Sequence, residues 1–253
     1  MQIYLIKNIQ AVNEGKIEAC DVLIKNGRIE TILPQITQIG TDAIEINGEG
    51  KYLLPGVIDD QVHFREPGLT HKATIGTEAK AAVAGGVTSF MEMPNTIPPA
   101  FTMQLLEDKY DIASKTSLAN YSFYIGTSNQ NAEETLKANE KKNDICGIKI
   151  FMGSSTGNLL VDNPLVLEKV FSKSELLIAT HCEDEKIIKQ NLEKLKAENR
   201  SLTAKDHPII RSEEACFESS FMPFNWQKNI IAACIFFISA QKKNCSFSVI
   251  CFH

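Results

Sequence analysis

The chain of 253 residues is long enough for one large domain or two modest ones, and its net charge of −5 gives no basic surface for nucleic acid. The N-terminal run Met1-Gln-Ile-Tyr-Leu-Ile-Lys-Asn8 lacks the basic region, long apolar core and small-residue cleavage site of a secretory leader. The apolar run 230–240 is shorter than the about 20 residues a membrane helix needs. Seven cysteines, none in a Cys-x-x-Cys pair, read as reduced thiols, so a cytoplasmic protein without a membrane anchor is expected.

Residues 1–54 read as short strands and tight turns. Segments 3–6, 20–25, 28–33 and 43–46 alternate or run apolar, and Asn26-Gly27 and Asn47-Gly48 are dipeptides that supply the positive φ of hairpin turns. A small β-sandwich-like domain is the expectation for 1–54.

From Tyr52 onward strands alternate with helices. Strand patterns fall at 56–62, 88–93, 120–124, 147–151 and 176–180, and helical ones at 77–84, 102–115, 132–141, 164–171 and 183–197. This alternation is the signature of parallel βα units. Residues 55–220 are therefore expected to form an α/β architecture of parallel βα units, with its chemistry at the C-terminal strand ends.

The first strand end carries most of the information: Pro55-Gly-Val-Ile-Asp59-Asp60-Gln61-Val-His63-Phe-Arg65-Glu-Pro-Gly68. A period of two would put Asp59, Gln61, His63 and Arg65 on one face, poor for packing and suited to a metal and an anion. Met93-Pro94-Asn95-Thr96 ends the second strand; alone, Pro94-Asn95 is a turn signal. Gly147-Ile-Lys149-Ile-Phe-Met-Gly153 places a lysine in an apolar strand, where burial should lower its pKa unless it snorkels out at the strand end. Ile178-Ala-Thr-His181-Cys-Glu-Asp184 ends the fifth strand, and its histidine reads as structural or as a ligand. Residues 154–158 form a polar loop without a readable role, and His71 reads as a surface residue.

Taken together these segments resemble the amidohydrolase superfamily, and His63-Phe-Arg-Glu-Pro-Gly68 is similar to the dihydroorotases within it. The resemblance implies a partial TIM-like (β/α)8 metal-dependent hydrolase barrel with a small N-terminal β-domain. It implies an enzyme of pyrimidine biosynthesis that interconverts N-carbamoyl-aspartate and dihydroorotate, a small-molecule partner, and a homo-oligomer in the intact family member. It further implies one or two Zn2+ held by His63, Lys149 (as a carboxylated lysine) and His181, with Arg65 and Asn95 on the substrate carboxylate. His207-Pro-Ile-Ile-Arg211-Ser-Glu-Glu214 resembles the start of the next family helix and is expected to shape the pocket. Gln61 stands where the family pattern Asp-x-His-x-His has its first histidine, and an amide is a weaker zinc ligand than imidazole. Another cyclic amidase, hydantoinase- or allantoinase-like, and a non-catalytic homologue are the alternatives.

The resemblance stops after Ser220. The family continues with a helix, a sixth strand reading Leu-His-x-x-His-Ile-Ser-Thr, and a late catalytic Asp, whereas 221–253 reads as an aberrant tail. Reading its codons one base earlier forces Leu from Asn225–Trp226 and Ala from Trp226–Gln227, and allows only His or Tyr at both Cys234–Ile235 and Phe237–Ile238. That frame is compatible with the missing helix and sixth strand. A frameshift near 219–221 is therefore expected, leaving this chain truncated and of doubtful activity, with open sheet edges and an aggregation-prone tail.

Overall fold

Apolar alternation and two turns with positive φ fold the start of the chain into a meander of β1 (Ile3–Asn13), β2 (Lys16–Lys25) and β3 (Arg28–Leu33). The computed structural model describes residues 2–37, 42–153, 158–198, 201–227 and 234–237, in two compact units, Met1–Val57 and Ile58–His253. In the first unit, Glu14-Gly15 (φ 47° and 75°) and Asn26-Gly27 (φ 54° and 75°) make both hairpin turns, with the twist that antiparallel strands require.

Asn47-Gly48 does something else. It separates β4 (Ile44–Asn47) from β5 (Tyr52–Leu53), and both strands run parallel to β1 along the same edge. The Asn47 side chain accepts from Glu49 N (3.1 Å), and Gly48 sits so close that a Cβ there would lie 2.6 Å from Ile9 Cδ1. The dipeptide is a kink matching the β1 irregularity between Ile6 and Ile9, where Asn8 takes φ 57°. Buried Asp21 satisfies that irregularity: its carboxylate accepts from Asn8 N (2.9 Å) and Ile36 N (2.8 Å). The described strands of this unit make one five-stranded sheet rather than two packed sheets, and Ile9, Cys20 and Val22 form its small core.

The second unit is a partial TIM-like α/β barrel. Its strands are β6 (Val57–Val62, whose first residue is the last of the first unit), β7 (Val87–Glu92), β8 (Asn120–Gly126), β9 (Gly147–Phe151), β10 (Ile178–His181) and β11 (Cys234–Phe237). They lie side by side in chain order, paired in parallel from β7 to β11, as successive staves of a barrel wall are. Between them come α1 (Ile75–Ala84), α2 (Met103–Thr116), α3 (Ala132–Leu136), α4 (Pro164–Lys173), α5 (Glu185–Lys196), α6 (His207–Ile210) and α7 (Glu213–Gln227). Local chemistry starts them: Thr74, Thr102, Asn163 and Asp184 cap α1, α2, α4 and α5 with their side-chain oxygens, and Pro164 opens α4.

Strand β11 is a difference from the sequence reading, which assigned no strand to the tail. Cys-Ile-Phe-Phe is apolar and β-prone, so it occupies the slot beside β10. At the opposite edge, Val57 and Ile58 on β6 are 55% and 62% exposed, so the sheet is open there among the described residues. Residues 154–157 of the polar loop and most of the apolar run 230–240 lie outside the described residues.

Candidate active site

Strand β6 ends at Val62, so the two-residue alternation fails where it was expected to matter most. His63 and Arg65 both lie beyond the strand, and Arg65 has φ 69°, in the left-handed region, which breaks the alternation. Gln61 is exposed, His63 is half-buried, and Phe64 turns inward against Phe90 with ring centroids 4.6 Å apart. The loop after His63 is clamped to the loop after β7. Ile97 N donates to Pro67 O (3.2 Å), and Gly68 (φ 81°) lies where a Cβ would come within 2.0 Å of Ile97 O. Only glycine fits that approach.

This clamp brings His63 to Asn95. His63 Nδ1 and Asn95 Oδ1 are 2.8 Å apart. An amide oxygen only accepts, so Nδ1 carries the proton and Nε2 keeps its lone pair. Burial holds the His63 pKa below the usual imidazole range; the bond to Asn95 opposes this, and the charges of Arg65, Lys149 and Lys109 add to it. A neutral imidazole with one free nitrogen is the state a metal ligand requires.

Beneath the two loops lies a buried ion pair that sequence reasoning did not single out. Glu92, the last residue of β7, pairs with Lys109 of α2, and both side chains are 1% exposed. Lys109 Nζ also donates to Met93 O (3.0 Å) and lies 4.9 Å from the Phe123 ring centroid. Burial pushes Glu92 up and Lys109 down, and each ion restrains the other's shift. The backbone N–H groups of Arg65 and Phe64 also help stabilise the Glu92 carboxylate. The pair therefore joins β7, α2 and the His63 loop.

Lys149 lies in β9, whose five residues are all buried, and is 1% exposed rather than snorkelling. Its Nζ is 4.8 Å from the Phe151 ring centroid, and the His181 ring stands 6.2 Å from the same ring. The register pairs Phe151 with His181 and Lys149 with Ala179, which brings the two strand ends together. His181 Nε2 lies 3.0 Å from Glu183 Oε2, and Arg211 Nη1 donates to that same oxygen. Glu183 is 4% exposed; burial raises its pKa, but His181, Arg211 and His207 outweigh this and leave it lowered. Arg211 was expected only to shape the pocket, and Glu183 carried no expected role. The one readable signal for Glu183 was its place two residues after His181. His71 is exposed, as expected.

Among the described residues no group of three or more His, Cys, Asp or Glu is gathered closely enough to hold a metal. The donors on offer are His63, His181 and Lys149, and they fit a zinc-type ion chemically. Each imidazole has one ring nitrogen engaged by an oxygen, so that a neutral ring offers the other to a ligand, and a carboxylated Lys149 would add an anionic oxygen.

The family model for dihydro-orotase-like proteins matches residues 50–194. A dihydroorotase of Listeria monocytogenes is 33% identical over 187 residues, covering 74% of this chain and 43% of that protein. One of Carboxydothermus hydrogenoformans is 50% identical over 97 residues, 38% of this chain and 22% of that protein. The chain thus spans less than half the length of these curated relatives. Among solved structures, the L-hydantoinase of Arthrobacter aurescens matches with a TM-score of 0.86 at 23% identity, covering 93% of this chain and 52% of that one. At that identity the likeness speaks for the fold.

Proposed function

Because the chain belongs to the dihydroorotase-like family of the amidohydrolase superfamily, we propose that it derives from a zinc-dependent cyclic amide hydrolase interconverting dihydroorotate and N-carbamoyl-aspartate. The observation that carries this reading is the pair of imidazoles, His63 and His181, each committed on one ring nitrogen, with buried Lys149 in the intervening strand β9. A zinc ion held by His63, His181 and carboxylated Lys149 would supply an activated water near neutral pH and polarise the ring carbonyl. Arg65 offers its planar guanidinium to the substrate carboxylate, and Asn95, whose oxygen is taken by His63, offers its NH2 group. Together they orient the ring by its carboxylate rather than by its reacting bond.

The tail is part of the proposal. In the register, Phe237 stands opposite His181, so a His codon restored at the Phe237–Ile238 junction would fall beside His181 at the strand ends. This supports a frameshift near 219–221. As the chain stands, Cys234–Phe237 brings no imidazole to the sixth strand, and little or no activity is expected. Among the described residues no helix is long and apolar enough to cross a membrane, and Cys20, Cys146, Cys182 and Cys216 are free thiols. We place the protein in the cytoplasm on the strength of those thiols.

Sequencing the gene across codons 215–240 and assaying the frame-restored protein test this. The restored protein is expected to bind zinc and to open dihydroorotate in preference to hydantoin, a ring without a carboxylate. Arg65→Met should abolish that preference. A restored protein that purifies without metal and takes up none overturns the reading. Equal activity on both rings would instead favour the hydantoinase-like alternative.

A further inference from the structure

Arg65 is the one candidate site residue with a strained backbone. Its φ of 69° lies in the left-handed region, where glycine is at home and a residue with a Cβ is not. Such a residue stays there only when its surroundings over-determine it. We propose that Glu66, whose carboxylate is tied to the first turn of α1, is a positioning residue that holds Arg65 in this conformation and leaves its guanidinium free for the substrate carboxylate. This rests on the reading of Arg65 given above and names what aims it.

Three observations point the same way. Glu66 Oε2 accepts from the backbone N of Ile75, the first residue of α1, at 2.8 Å. Thr74, which caps that helix, spends its side chain on Thr77 N, so Ile75 N is left for Glu66. A carboxylate at the start of a ten-residue helix is also favoured by the helix dipole, which strengthens the tether.

The second observation is that Arg65 is pinned on both flanks. Before it, Phe64 is buried against Phe90; after it, Leu69 N closes a turn onto Arg65 O (3.1 Å), and Pro67 O is held by Ile97 N. With Glu66 fixed to α1 as well, the peptide joining these anchors has no slack to return to a negative φ. Third, the half-buried Arg65 guanidinium makes no ion pair or hydrogen bond among the described residues, although a carboxylate stands next to it in the chain. Tied to α1, Glu66 does not fold back to neutralise it.

The test has one readout without turnover and one with it. The full 253-residue chain, fused to an arginine-free solubility tag and labelled with 13C-arginine, gives four arginine Cα signals, with Arg65 assigned through Arg65→Lys. The one-bond Cα–Hα coupling reports the sign of φ. It should show positive φ at Arg65 in the parent and in Glu66→Gln, whose amide oxygen still accepts from Ile75 N, and negative φ in Glu66→Ala. In the frame-restored protein, Glu66→Ala should raise KM for dihydroorotate about 10-fold or more at unchanged zinc affinity, and Glu66→Gln should restore it. Positive φ retained in Glu66→Ala overturns the inference, as does a parent-like KM or a loss of zinc affinity in step with the rise in KM. If the restored parent does not act on dihydroorotate, the functional reading fails on its own, and the coupling still decides whether Glu66 holds Arg65.

Discussion

Asp21 in the first unit and Glu92 in the second are both buried carboxylates, yet their pKa values move in opposite directions. Two backbone N–H groups, from Asn8 and Ile36, hold Asp21 below the usual carboxylate range. Burial pushes Glu92 up, and Lys109 only partly opposes it. Backbone dipoles stabilise the anion without having to be desolvated as ions themselves, whereas a buried lysine brings its own desolvation cost. Asp21 therefore repairs a strand irregularity. The Glu92–Lys109 pair, weak as a source of stability, sits where β7, α2 and the His63 loop meet.

The sharpest way to break this comparison is to remove one ion of the buried pair. Lys109→Met leaves Glu92 buried without its cation and should cost about 3–5 kcal/mol in urea unfolding. The double variant Glu92→Leu/Lys109→Met should recover most of that loss, because an apolar pair of similar volume avoids desolvating two ions. If the pair positions the site, the double variant should still bind zinc less tightly than the parent. A double variant as unstable as the single one would mean that the pair itself stabilises the fold.

A smaller effect is expected at Asp21. Asp21→Ala strips the acceptor from the N–H groups of Asn8 and Ile36 and should cost about 1–3 kcal/mol. Because the folded pKa is depressed, the Asp21 contribution is complete above the unfolded value, about 3.9, and is lost as pH falls through the folded pKa. For Glu92 the sign reverses: its folded pKa is raised, so between the unfolded and folded values stability falls as pH rises. Urea midpoints of the parent, Asp21→Asn and Glu92→Gln across acidic pH separate the two. The acid-side loss should shrink only in the first variant.

The periodic parts of the molecule were legible in the sequence. Strands β6 to β10 and their helices fall within a few residues of their hydrophobic patterns, and Asn26-Gly27 makes the turn its chemistry demands. Asn47-Gly48 was misread because the dipeptide encodes a backbone kink but not the partner of the next strand; both flanking strands found β1. Arg65 was misplaced because alternation holds only while the ladder lasts, and the ladder ends at Val62. His63, Asn95, Lys149 and His181 were readable as motif residues at strand ends. Glu92, Lys109 and Glu183 with Arg211 were not, since their meaning lies in contacts across 17 and 28 residues of chain.

The smallest predicted effect concerns Cys182, which lies between His181 and Glu183 and could be mistaken for a reactive or ligating thiol. It is 1% exposed, and burial pushes its pKa up to about 11, with Thr180, Lys149 and Ser220 opposing the rise only in part. A thiol is nucleophilic as its thiolate, so at neutral pH the native protein should leave Cys182 unmodified by iodoacetamide and label it only in urea, as peptide mass spectrometry would show. Cys182→Ser should leave zinc affinity unchanged. Rapid native labelling at Cys182 would mean that the β10 end opens far more readily than its bonds to β9 and α7 imply. The contrast between a braced carboxylate and a merely packed thiol would then have to be abandoned.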